Sequence, residues 1–125
     1  MVKELFSHLR DNEALKSLVD ERIYPQTAPK GAQTPYITYT VVDERDIQAD
    51  SREVCAVKFW FQLDVYDKSY SGSEEVKTTL KEALYLFPYA YPKDMEARNM
   101  PQEKDTKLFR QLIEFKLKRM NNASN

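Results

Sequence analysis

The chain has 125 residues, the size of one domain, and its 42 % hydrophobic and 12 % aromatic residues suffice to fill a core. Its 19 Lys and Arg against 20 Asp and Glu leave a net charge of −1. That balance excludes a protein built mainly to grip nucleic acid, and equally an intrinsically disordered chain.

The first segment reads as helix, because Val2, Leu5, Phe6 and Leu9 share one apolar face. Asp11 and Asn12 interrupt it, and either can cap a second short helix carrying Leu15, Leu18 and Val19. No uninterrupted apolar core of a signal peptide occurs in this region, and no run reaches the roughly 20 apolar residues of a membrane span, so a soluble intracellular chain is expected. Pro25, Pro29, Gly31 and Pro35 then exclude helix and predict an extended loop. Residues 35–42, PYITYTVV, alternate as a short strand. Residues 43–53 are almost wholly polar and read as the tip of a long hairpin.

The returning strand is the clearest element. Val57, Phe59, Phe61, Leu63 and Val65 face one way, while Lys58, Trp60, Gln62, Asp64 and Tyr66 face the other. Ser71 and Glu74 form a capping-box pattern ahead of a helix with Val76, Leu80, Ala83, Leu84 and Phe87 inward, stopped by Pro88. Residues 88–101 read as a loop. A last strand points Phe109, Ile113, Phe115 and Leu117 inward and Arg110, Glu114, Lys116 and Lys118 outward, before a frayed tail over 120–125. The expected fold class is α+β in one domain over 1–125: an antiparallel β-sheet with a long hairpin and helices packed on one face.

Catalytic chemistry finds no foothold in this pattern. Gly31 and Gly72 stand alone, so neither a dinucleotide-binding loop nor a P-loop exists. His8 is the only histidine and lies within a helix, far in sequence from Cys55, so neither reads as a base or an activated nucleophile. A single cysteine excludes an internal disulfide and a thiolate metal cluster. The acidic residues of the hairpin tip alternate with Arg45 and Arg52 and lack the glycine of a metal-binding turn. No catalytic residue, metal or cofactor is therefore expected. The charged tip reads either as a solvated loop or as a docking surface with both signs of charge. The basic side of the last strand reads as a solvated, protected edge or as a weak phosphate contact. Tyr85, Tyr89 and Tyr91 read as an interface or as a cover over the helix end.

Residues 22–39, RIYPQTAPKGAQTPYITY, carry a resemblance. The Leu15, Leu18 and Val19 turn, then Arg22, Ile23, Tyr24 and Pro25, then Ala28, Pro29 and Gly31, and finally Pro35 and Tyr36 resemble the tail-completion (tail-to-head joining) proteins of long-tailed bacteriophages. The strand ending Leu63-Asp64-Val65-Tyr66, followed by a helix and a last strand, fits the same pattern. Residues 89–105 have no counterpart. The resemblance implies a structural virion protein, not an enzyme. It implies a hexameric ring at the head-proximal end of the tail, whose partners are the tail tube protein and the head connector (stopper) protein, with no membrane and no specific nucleic acid. Localisation would be the tail or neck of the virion, and the host cytoplasm during assembly. A ring component of this kind can stay monomeric in solution until its template is present. Arg45, Asp46, Asp50 and Arg52 are the expected interface residues, with Tyr89 and Tyr91 second. The alternative reading is a small intracellular adaptor or regulatory module that uses the same surfaces on one protein partner.

Overall fold

The computed structural model describes residues 2–88 and 93–120. Helices α1 (Val2–Arg10) and α2 (Glu13–Val19) are split at Asp11 and Asn12, where Asn12 Oδ1 accepts from the Leu15 amide at 2.9 Å and caps α2. Strands β1 (Ile23–Pro25), β2 (Tyr36–Gln48) and β3 (Val54–Asp67) precede helix α3 (Tyr70–Tyr85), and strands β4 (Lys93–Met100) and β5 (Phe109–Met120) complete the chain. One sheet holds all five strands in the order β1-β2-β3-β5-β4.

The helices lie on one face of that sheet, as the alternation predicts. Leu5, Leu9, Leu15, Val19, Val76, Leu80 and Leu84 pack against Ile37, Phe61, Leu63, Val65, Ile113 and Phe115, all essentially without solvent contact. Phe87 closes the helix end of this core. His8 Nε2 donates to the carbonyl of Ala83 at 2.6 Å and so ties α1 to the last turn of α3. Cys55 Sγ lies 3.4 Å from the Ile47 carbonyl inside the hairpin.

Four expectations need correction. Residues 23–25 belong to a strand and not a loop: β1 runs parallel to β2 with Ile23 beside Ile37, which makes the sheet mixed rather than wholly antiparallel. Arg22 Nε, donating to the Pro35 carbonyl at 2.9 Å, holds the two ends of the intervening loop together. Second, residues 43–48 are strand, not tip. β2 continues past a bulge at Val42 and pairs with β3 as far as Gln48, so only the turn after Gln48 reverses the chain. Charged side chains are tolerated there because the helices leave that part of the strand exposed.

Third, residues 93–100 form edge strand β4, paired along β5. Its alternation of Asp94, Glu96 and Arg98 with half-buried Met95 and Ala97 is a strand pattern hidden by high charge. Fourth, the cap of α3 is Ser69, whose Oγ accepts from the Gly72 amide at 3.1 Å. Ser71 Oγ lies 3.0 Å from Ser69 Oγ. A β-carbon on Gly72 would meet the Asp67 carboxylate folded over the first turn, which would have to move aside.

Glu74, freed from a capping role, pairs with Lys77 at 2.8 Å, and this bond holds its carboxyl below the usual carboxylate range. A depressed folded pKa supplies stability at neutral pH that is lost as pH falls through the folded value. Glu74→Gln is expected to cost about 0.2–0.5 kcal/mol at pH 7. Urea unfolding of both proteins should show that gap closing once the pH drops below roughly 4.

Candidate functional site

Alternation in β3 and β5 places Phe61, Leu63, Val65, Ile113 and Phe115 on the face that the helices cover, and the other face has no helical cover among the described residues. Two clusters occupy the uncovered face. The first begins at Tyr36 and Tyr66, opposite one another on β2 and β3 and stacked with ring centroids 5.0 Å apart, with the Tyr24 ring edge-to-face to Tyr36 at a centroid separation of 6.0 Å. Burial pushes both the Tyr36 and the Tyr66 phenols above their ordinary value. The Arg110 guanidinium lies 5.8 Å over the Tyr66 ring, and its Nε donates to Asp64 Oδ1 at 3.0 Å. Gln62 Nε2 donates to the other carboxylate oxygen at 3.1 Å. Beside them the 26–34 loop and residues 103–108 enclose a hollow of about 510 Å³.

The second cluster centres on Trp60, whose ring carries the Lys116 ammonium 4.5 Å from its centroid. The indole Nε1 is shielded from solvent without a hydrogen-bond partner. Asp43, Arg45, Lys58, Asp94 and Lys118 border an open concavity of about 580 Å³ around it. The basic side of the last strand is thus divided: Arg110 is neutralised by Asp64, Lys116 rests on Trp60, and Arg119 turns to the opposite face, 3.8 Å from Glu4.

Among the described residues, the four hairpin positions expected at an interface do not share one face. Arg45 points to the uncovered face, opposite Lys58, with its Nη2 3.5 Å from Asp43. Asp46, opposite Val57, points to the helix side. Asp50 and Arg52 sit in the turn, where Arg52 has a φ of +70°. Tyr89 and Tyr91 lie outside the described residues. Asp43, Glu96 and Arg98 also stand exposed on the uncovered face. Among the described residues no group of three His, Cys, Asp or Glu converges as metal ligands, and no helix is long and apolar enough to cross a membrane.

A face of stacked tyrosines and paired charges, backed by a helix-covered core, suits contact with other proteins. Among known proteins, the family described as tail completion protein gp17 matches residues 3–117. No curated protein matches the chain. A chain in the solved virion of a native gene transfer agent particle shares the fold, with a TM-score of 0.61 and 12 % identity over 94 % of this chain and 92 % of that one. A second solved chain aligns at a TM-score of 0.50 and 14 % identity, covering 98 % and 97 %. The family match, which reaches into all three helices and all five strands, shows that the chain belongs to the tail completion protein gp17 family.

Proposed function

We propose that this phage tail protein caps the head-proximal end of the tail tube as a hexameric ring, stops tube growth and offers its exposed surface to the head connector. The observation that carries this reading is the tail-completion match over residues 3–117. The physical character of the chain supports it. Ring contacts are heterologous and close by rotation. A near-neutral chain, at −1, suits a ring through which DNA passes without being held. The partners on this reading are the tail tube protein, the connector and further copies of the chain. The virion neck is its final location, and assembly takes place in the host cytoplasm.

Arg45, Asp46, Asp50 and Arg52 on the hairpin are the first contacts with those partners, and Tyr89 and Tyr91 the second. Purified protein carrying a gold label, added to isolated tails that lack it, should mark one tail end in electron micrographs; label along the tube or at neither end would count against the reading. Arg45→Glu with Arg52→Glu should leave the far-ultraviolet circular dichroism and melting temperature unchanged yet lower the yield of joined particles at least tenfold. Normal infectivity of that double variant would remove the hairpin from the interface.

A further inference from the structure

We propose that neighbouring copies of this chain join edge to edge, β2 of one copy pairing antiparallel with β4 of the next so that Asp43 faces Arg98 and Arg45 faces Glu96. The proposal rests on the ring reading and names the contact that builds the ring.

The two ends of the sheet are open. β1 covers β2 only from Ile37 to Tyr39, so the outer backbone of β2 beyond its bulge has no partner strand among the described residues. Among the described residues β4 likewise pairs on one side alone. Each edge offers the row of amides and carbonyls that the other lacks. Strand direction also agrees. β2, β3, β5 and β4 alternate in direction across the sheet, so the two edges run oppositely. A copy rotated about an axis near the strand direction therefore brings its β2 antiparallel to β4 while keeping its helices on the same side. This contact is heterologous, as a closed ring requires.

Charge selects the register. Asp43 and Arg45 point to the uncovered face and touch at 3.5 Å; Glu96 and Arg98, on the same face of β4, also touch at 3.5 Å. All four side chains are exposed in the single chain. Opposed residues must share a face, so only every second register is allowed. With Asp43 opposite Arg98, both cross-strand pairs are of opposite sign. A shift by one pleat sets Arg45 against Arg98 in one direction and Asp43 against Glu96 in the other.

The same register gives a stagger compatible with a closed ring. Arg45 lies in the row of Lys58 and Glu96 in the row of Gln62. Each copy thus advances by the Lys58-to-Gln62 step across its strands β2, β3, β5 and β4, about one residue of stagger per strand, the ratio found in eight-stranded barrels tilted by about 36°.

The test uses tails assembled with a variant in which Cys55→Ser removes the native thiol and Arg45→Cys and Glu96→Cys occupy opposed positions. Mild oxidation should give a ladder of covalent oligomers on non-reducing gels. The control, Arg45→Cys with Arg98→Cys, should give at least tenfold less. Equal linking in both, or none in either on tails that carry the ring, overturns the edge contact and leaves the ring reading standing. Wild-type tails without a ring at their end overturn both. A charge exchange guards against poor folding of the cysteine variants: Arg45→Glu alone should lower joining at least tenfold, and adding Glu96→Arg should restore it. Failure of that restoration in well-folded protein counts against the register.

Discussion

Phe61→Ala is expected to lower the stability of the chain by about 3–5 kcal/mol, a large share of the roughly 5–15 kcal/mol that holds a domain together. Phe61 has no solvent exposure, lies at the centre of β3 and stacks on Phe59 at 5.8 Å and on Phe115 of the adjacent strand at 6.5 Å. Truncation leaves a hole bordered by sheet on both sides, where neighbours cannot collapse inward. The melting temperature should fall on the order of 10–20 °C. Phe61→Leu, which keeps most of the volume, should lose roughly 1–2 kcal/mol. Thr78→Ala, on the exposed side of α3, should stay within about 0.5 kcal/mol. Denaturant unfolding measures all three, and a loss below about 1 kcal/mol for Phe61→Ala would place the core elsewhere.

The second large effect lies on the opposite face. Asp64 is 5 % exposed and depends on Arg110 and Gln62 for its hydrogen bonds. Arg110→Met keeps the aliphatic stem but leaves a buried carboxylate with Gln62 as its remaining side-chain donor. Such a loss costs about 3–5 kcal/mol where both charges are fully buried. Arg110 retains 27 % of its side-chain exposure, so about 2–4 kcal/mol is expected here. Asp64→Asn should cost less, roughly 1–2 kcal/mol, because an amide still accepts one hydrogen bond and leaves Arg110 free to reach water. The double variant should lose less than the sum of the two, since the partners are in contact. Salt at about 1 M should not erase the effect, as it would for an exposed pair. Additive losses would mean that the two residues act independently.

The sequence pattern made the core legible because β3 alternates from Val57 to Tyr66, β5 alternates from Ile113 to Lys118, and the helices repeat their apolar positions on one side. The motif Leu63-Asp64-Val65-Tyr66, first a point of family resemblance, proves to be the place where β3 brings Asp64 to Arg110 and Tyr66 to Tyr36. The misread elements share a physical cause. β1, β4 and the outer half of β2 are edges, where one side of the backbone has no partner strand among the described residues and many side chains are exposed. Charge and proline are compatible with an edge, so residues 23–25, 43–48 and 93–100 look like loops when judged by hydropathy. The cap was harder to read because serines at 69, 71 and 73 offer competing caps, and the hydrogen bond from the Gly72 amide to Ser69 Oγ identifies the one used. Buried Gln111, whose Nε2 donates to Ser73 Oγ at 3.1 Å, likewise needs the packing of α3 on β5 to be understood. The paired edge charges escaped the sequence because their meaning depends on which strands end the sheet.

Electron microscopy of a lysate from cells deleted for this gene tests the central claim most directly. A cap on the head-proximal end of the tail predicts filled heads beside separate or overlong tails, with normal particles restored by supplying the gene. Joined particles of normal tail length in the deletion lysate would contradict the account.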